Sequence, residues 1–376
     1  MQFTISKEAL IKPLQRTAGV AASVEKRQIL PILGNILMVV KNQLLSLVGT
    51  DLEIEMVARI PLVNQATAGS VAVSGKKLMD ICKSLPEQSQ ISFEFSENKM
   101  LLRAGRSRFA LACVAPDNFP RIEESVGEVE ISVGQSLMRQ LFDATSFAMA
   151  HSDVRYYLNG VCLIFSGQEL RLVATDGHRL ATMTSLVKTH LTSPLSVIVP
   201  RKAILEMQRL FAEGEEEIGL VIGKNHLRAV TKQSSFVTKL IEGKFPDYRR
   251  VLPENCEQQM QVPRELFRQA LLRVSALFSD KYRGVGLQFS AGLLKIVAVT
   301  PEKDEVEDEV EIMYQGPSME IGLNSSYLIE FLNIIKSEMV RASFTNPQQV
   351  VLFEAFDPSM PSQGQQHFYV VMPMRL

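Results

Sequence analysis

Apolar residues recur at three- and four-residue steps in six stretches of this chain and alternate with polar residues in many shorter ones. The first spacing gives a helix with one buried face; the second gives a strand with one buried face. Three segments, "FTISKEALIKPLQRTAGV", "ISVGQSLMRQLFDATSFAM" and "MQVPRELFRQALLRVSALF", predict a short strand followed by an amphipathic helix, with Leu10, Leu137 and Leu266 in one register. Three more, "SGKKLMDICKSL", "PRKAILEMQRLF" and "NSSYLIEFLNII", predict a second set of helices. Between the sets lie the strands "LPILGNILMVV", "YYLNGVCLIF" and "YRGVGLQFS", and the last strands are "RFALACVAP", "SFVTKLIEG" and "HFYVVMPMRL".

The order of these elements repeats. In "LLSLVGTDLEIE", "ELRLVATDGHRL" and "LLKIVAVTPEKD", the threonines Thr50, Thr175 and Thr300 are spaced by 125 residues twice. A fixed period with the same neighbours in the same order means three copies of one unit. The proline-bearing stretches "DNFPRI" and "KFPDYRRVLP" read as connectors. The chain therefore divides into three α+β domains, 1–126, 127–253 and 254–376, each large enough to hold its own core.

Composition adds limits. Hydrophobic residues at 46% and charged residues at 22% are ordinary globular values. Four scattered cysteines without a C-x-x-C pair, and no signal peptide or membrane-length apolar run, predict a cytoplasmic protein. The net charge of −1 conceals a polarity. Residues 1–126 carry +3, 127–253 carry +2 and 254–376 carry −6. "RAGRSRFAL" concentrates Arg103, Arg106 and Arg108, while "PEKDEVEDEVE" concentrates Glu302, Asp304, Glu305, Glu307 and Asp308. Opposite charge at opposite ends favours head-to-tail association, with Phe109, Leu111, Leu277 and Phe278 able to supply apolar contact. The plain alternative is two solvated surfaces.

"VATDGHRLAT" admits several readings. Asp176 and His178 suggest an acid–base pair for a hydrolase or transferase, but no nucleophile or metal-ligand spacing accompanies them. A polar turn around Gly177 explains Asp-Gly without chemistry. The first repeat has "VGTDLEIE" there, so the repeat itself does not require a histidine.

The set "LPILGN", "GTDLEIEMVAR", "AGRSRF", "DVRYYLNG", "VATDGHRLA", "VPRK", "FPDYRRVLP" and "YVVMPMRL" resembles the bacterial sliding clamp family, the β subunit of the DNA polymerase III holoenzyme, along the whole chain. The resemblance implies a DNA-clamp fold: a homodimeric ring of six similar domains, helices inside and sheets outside, encircling duplex DNA as a non-catalytic processivity factor with no cofactor or metal. It implies a cleft that docks short linear peptides of the polymerase III catalytic subunit, clamp loader, other polymerases and repair proteins. By position, that cleft takes Arg155, Tyr157, Leu158, Thr175, Gly177, His178, Arg179, Leu180, Pro246, Arg250, Val251, Asn324, Tyr327, Val370, Val371, Met372, Pro373, Met374, Arg375 and Leu376. Met372 and Met374 can repack around different apolar anchors; Arg155, Arg179 and the terminal carboxylate can orient a peptide.

DNA contacts carried over in the same way are Arg27, Lys83, Tyr156, Arg201 and Lys202, with Lys77 added to the subunit interface. Sequence-indifferent binding to phosphates fits the lack of any base-reading motif. Ser152 stands where the resemblance leads one to expect glutamine, and "NPQQVVLFEAFDPSMPSQGQQHF" predicts a long flexible hairpin beside the cleft. A peptide-binding scaffold that does not enclose DNA remains the alternative.

Overall fold

The computed structural model describes all residues except 26–29, 97, 123–126, 128, 190, 192, 212–214, 254, 279–282, 358–365 and 376, and the side chains of 22–25. Arg27 and Leu376 thus lie outside the described residues, as does the tip of the long hairpin expected before the last strand.

The first repeat runs β1 (Gln2–Ser6), α1 (Lys7–Glu25), β2 (Asn35–Lys41), β3 (Leu44–Thr50), β4 (Ile54–Pro61), β5 (Gly69–Ser74), α2 (Gly75–Ser84), β6 (Gln90–Ser96), β7 (Lys99–Ala104) and β8 (Ser107–Val114). The second runs β9 (Val129–Gly134), α3 (Gln135–Thr145), β10 (Gly160–Ser166), β11 (Glu169–Thr175), β12 (Arg179–Leu186), β13 (Leu195–Pro200), α4 (Arg201–Leu210), β14 (Glu217–Ile222), β15 (His226–Val230) and β16 (Ser234–Lys239). The third runs β17 (Gln258–Pro263), α5 (Arg264–Ser275), β18 (Gly284–Ser290), β19 (Leu293–Val299), β20 (Glu305–Glu311), β21 (Met319–Asn324), α6 (Ser325–Ile334), β22 (Met339–Phe344), β23 (Val351–Phe356) and β24 (Gln366–Val371). Strand, helix, four strands, helix, three strands: the order is the same three times.

The threonine that marks the repeat has a physical job. Thr50 Oγ1 donates to the Ile54 carbonyl at 2.9 Å, and Thr175 Oγ1 donates to the Arg179 carbonyl at 2.6 Å, four residues on in each case. The aspartate after each threonine then accepts two backbone N–H groups of the turn, Asp51 from Glu53 and Ile54, Asp176 from His178 and Arg179. Leu52 (φ 74°) and Gly177 (φ 91°) occupy the same left-handed position of the two hairpins. In the third repeat, Thr300 Oγ1 accepts the Asp304 N–H at 3.1 Å and closes a slightly different turn.

Two compact units form. Met1–Gln135 with Arg209–Leu240 make the first, and Ser136–Gln208 with Ile241–Leu376 the second. The first holds a twelve-stranded sheet ordered β1-β6-β7-β8-β5-β2-β3-β4-β16-β15-β14-β9. The second holds an eight-stranded sheet, β13-β10-β11-β12-β24-β23-β22-β17, and a four-stranded sheet, β20-β19-β18-β21. In both, the third strand of a hairpin meander in one repeat accepts the last strand of the next, β4 with β16 and β12 with β24. Strand pairing across repeats is thus built into each unit.

Apolar faces close on each other, but the helix register is shifted by one residue from that expected: counted from the helix starts, Leu10 aligns with Met138 and Phe267, all fully buried, while Leu137 is half-buried and Leu266 is 53% exposed. In the first unit Phe3 stacks on Phe93 at 4.7 Å between ring centroids, and Leu10, Leu14 and Leu78 from α1 and α2 are fully buried against the sheet. In the second, Phe331 of α6 stacks on Tyr369 of β24 at 4.8 Å. Burying each such side chain contributes about 1.5–3 kcal/mol. The segment expected as a long flexible hairpin contributes β23 and β24, paired from Val351 with Val371 to Glu354 with Phe368. Among the described residues no helix is long and apolar enough to cross a membrane.

His367 of β24 makes the fold sensitive to acid. Its Nε2–H donates to the Ala144 carbonyl at 2.9 Å, and burial pushes the imidazole down to about 4. Because the unfolded chain takes up a proton near pH 6.5 and the folded one only near 4, this group's contribution is complete above pH 6.5 and is lost as the pH falls toward 4. Urea unfolding should show that loss, roughly 2–3 kcal/mol across the interval, and H367Q should flatten the corresponding part of the pH profile.

Candidate functional site

The hairpin β11–β12, the last strand β24 and the connector after β16 meet in the second unit. Leu158, Val173, Leu180, Phe245, Tyr248 and Val370 are buried there as one apolar cluster, with Tyr157, Val251 and Leu252 packed against it. Arg171 fixes the connector: its Nη1 donates to Tyr248 Oη at 2.6 Å and its Nε to Thr184 Oγ1 at 2.7 Å. The connector's outer residues, Pro246 and Arg250, are exposed.

Past β24, the chain remains tied down. Met372 N–H donates to the His178 carbonyl and Met374 N–H to the Gly322 carbonyl, both at 2.8 Å. Pro373, which has no N–H to leave unsatisfied, stands between them. The two methionine side chains are left 40% and 41% exposed. Val370 and Val371 are buried and Arg375 is exposed.

Arg179 is buried, and its guanidinium is engaged within the fold. Nε donates to Asp176 Oδ2 (3.0 Å), Nη1 to Glu330 Oε2 (2.6 Å) and Nη2 to the Phe147 carbonyl (2.7 Å), while the guanidinium lies 4.2 Å from the Tyr327 ring centre. These contacts join β12 to α6 and make Arg179 part of the wall. Asn324 likewise serves the fold, its side chain accepting the Ser326 N–H at the start of α6. Glu330 and Phe147 carried no local signal in the sequence, because only long-range folding brings them to Arg179.

Asp176 spends both carboxylate oxygens on the turn and on Arg179, and the His178 ring is exposed. The acid–base pair considered from sequence is therefore not assembled; the turn reading accounts for the aspartate and the glycine. Arg155 is exposed, held by two bonds to Asp153 at 2.9 and 3.0 Å, and these bonds hold the Asp153 carboxyl down to about 2. It lies across Gly177, where an added Cβ would come within 2.8 Å of its Nη2. With φ at 91° as well, G177A should cost about 1–2 kcal/mol in denaturant unfolding and displace Arg155.

The DNA candidates separate by unit. Lys83, in the last turn of α2, is exposed. In the second unit Tyr156 is exposed on a 3-10 turn, and the Arg201 N–H, at the start of α4, donates to the carbonyl of neighbouring Asn159 at 2.9 Å. Arg201 and Lys202 are half-buried. Ser152, at the position where glutamine was expected, is exposed with φ at 60°.

Most interface candidates fall on or beside β7, β8 and β20, with Lys77 in α2 and Leu277 and Phe278 after α5. β20 is an outer strand of its sheet and carries Glu305, Glu307, Glu309 and Glu311 at alternate positions, all exposed. β8 pairs with β5 only at Cys113 and Val114, so Ser107–Ala112 bond to β7 alone. On that hairpin Arg103 is directly opposite Arg108, a like-charge pair that is unfavourable in isolation. Arg106 and Lys77 are exposed nearby in the same unit, and Phe109 is half-buried. Two candidates are already engaged: Leu111 sits in the core at 9% exposure, and Asp308 takes the Arg273 Nε at 2.5 Å. Glu302, Asp304 and Leu277 are exposed and Phe278 half-buried.

Residues 1–123, 132–247 and 249–375 match the models of the N-terminal, central and C-terminal domains of the DNA polymerase III beta subunit. The chain is 48% identical to a beta sliding clamp of Pseudomonas aeruginosa and 44% identical to that of Escherichia coli, over all 376 residues and all of each relative. It is similar, with a TM-score of 0.95, 48% identity and full coverage of both chains, to a crystal structure of the Pseudomonas aeruginosa sliding clamp bound to griselimycin. With these three domain matches and full-length relatives, the chain belongs to the DNA polymerase III beta subunit family, the bacterial beta sliding clamps.

Proposed function

We propose that two copies of this chain close head to tail into a ring that encircles duplex DNA and tethers the replicative polymerase, catalysing no reaction itself. The observation that carries this reading is the pair of open strand edges, basic on β8 and acidic on β20. Each is paired on one side and open on the other, β8 over Ser107–Ala112 and β20 along its length, and each suits the other in charge. Strand addition at such edges supplies main-chain hydrogen bonds, and the charges fix which edge meets which.

In this reading the three repeats, 1–126, 127–253 and 254–376, are the domains of a half-ring. Duplex DNA is held by fleeting phosphate contacts from cations such as Lys83, Arg201 and Arg27, beside Tyr156 and Lys202, and retained by closure. The apolar cluster around Leu158, Leu180 and Val370, rimmed by Met372 and Met374, takes short peptides of the polymerase, clamp loader and repair proteins. Free thiols at all four cysteines suit a cytoplasmic setting.

Retention on DNA tests the ring. Loaded onto nicked circular DNA, the protein should remain bound through a gel-filtration column and leave within seconds of linearisation. Equal loss from circular and linear DNA would reject encirclement. Salt supplies an internal control, because an open binder that relies on phosphate contacts loses about 10³–10⁵ in affinity between 50 and 200 mM salt.

A further inference from the structure

Where β4 meets β16, one face of the twelve-stranded sheet is dished into a cavity of about 200 Å³. Val48, Val57 and Val237 line its floor, on β3, β4 and β16, with Val57 opposite Val48 and Val237 opposite Glu55. The chain after β8 contributes Arg121 and Ile122, and Arg59 and Arg228 complete the wall.

This cavity holds the position, one repeat earlier, of the apolar cluster in the second unit. β4 and β16 pair as β12 and β24 do. Val48, Glu55, Val57 and Arg59 precede Val173, Leu180, Thr182 and Thr184 by 125 residues, and Phe119 precedes Phe245 by 126 in the connector. The construction is shared and the chemistry is not. Where the second unit has Leu180, the first has Glu55, which is 3% exposed and held by Arg121 through two bonds of 2.8 and 2.9 Å, with the Ile122 N–H at 3.1 Å. Where the second unit has Thr184, the first has Arg59.

Among the described residues, three arginines, one carboxylate and His226 line the cavity. Arg121 neutralises Glu55, and Arg59 makes no ion pair among the described residues. The volume accommodates a branched aliphatic side chain with a carboxylate beside it; drug-sized ligands need about 300 Å³ or more.

We propose that this cavity is a second recognition site, for an acidic peptide segment that sets an aliphatic side chain on the valine floor and an adjacent carboxylate on Arg59. Both the cavity and its charge belong to the first unit, so the site stands whether or not the second unit's cluster takes peptides. It gives one chain two grooves of like construction and different selectivity, one apolar and methionine-rimmed, one cationic.

Valine-methyl NMR of the full chain separates the two. Titration with the acetylated, amidated peptide Leu-Asp-Leu-Asp-Leu should shift the methyls of Val48, Val57 and Val237, while Val370 reports on the other groove. The same peptide with asparagine for aspartate should bind the first site at least fivefold more weakly, and R59Q should weaken the acidic peptide by a similar factor. Unmoved Val48, Val57 and Val237 methyls at millimolar acidic peptide would overturn the proposal. So would equal affinity for the asparagine peptide, a comparison that needs no variant.

Discussion

Reversing the charge of Arg103, Arg106 and Arg108 to glutamate should turn a dimer into a monomer. The three cations lie on or beside an edge strand, and two of them, Arg103 and Arg108, are already set against each other. Such a pair is tolerable on a free surface and becomes favourable when an acidic strand arrives. β20 presents four exposed glutamates at alternate positions, of which only Glu307 has a described ion pair, with Lys295. Placing three new carboxylates opposite them costs several kcal/mol, at least about a thousandfold in dimer dissociation constant. Light scattering at micromolar protein should read close to 42.0 kDa for the variant and twice that for the parent. Adding E305K, E307K and E309K to the same chain should restore the dimer, which distinguishes lost complementarity from lost folding. A triple-reversed protein that stays dimeric would show that this edge is not the seam.

Removing Met372–Leu376 should abolish peptide docking and leave the dimer intact. The two methionine side chains are 40% and 41% exposed, just past β24 and its buried Val370, and their backbone is pinned to His178 and Gly322. A bound apolar anchor would cover both, at about 1.5–3 kcal/mol for each fully buried side chain, so partial covering still amounts to roughly a hundredfold in affinity. Fluorescence anisotropy with a labelled clamp-binding peptide from a replicative polymerase measures this directly. Because β24 ends at Val371, the truncation leaves the eight-stranded sheet and its pairing with β12 in place. Undiminished peptide binding would move the docking site elsewhere.

The fold was legible because it is repeated. A single strand ending in Thr-Asp is unremarkable, but the recurrence of Thr50 and Thr175 with the same helices on either side exposed the unit, and the hairpin bonds of both threonines give the reason. Helix positions followed from apolar spacing, since Leu10, Leu14 and Leu78 had to be buried. The candidate site was less legible. Resemblance located Arg179, but its partners Glu330 and Phe147 lie 151 and 32 residues away in sequence, so its part in bracing β12 against α6 could not be read locally. Leu111, named for the interface beside three arginines, packs against the first unit's core at 9% exposure, a burial that follows from the strand's alternation and not from its charged neighbours. Asp308 looked like one more surface acid until α5 placed Arg273 against it. Local pattern specified which elements form; the pairing of strands between repeats decided which side chains remained available.

Closure of two chains around DNA can be fixed by a covalent seal. Cysteines introduced at Ser107 on β8 and Glu309 on β20 would be joined by a bismaleimide after the clamp loader has acted on circular or linear duplex. Burial pushes Cys82, Cys113 and Cys162 up to about 11 and raises Cys256 as well, so the native thiols react slowly and the engineered pair dominates. A protein–DNA link should survive SDS on the closed circle and be absent from the linear molecule. Cross-linked dimers that detergent strips from both would contradict closure around DNA.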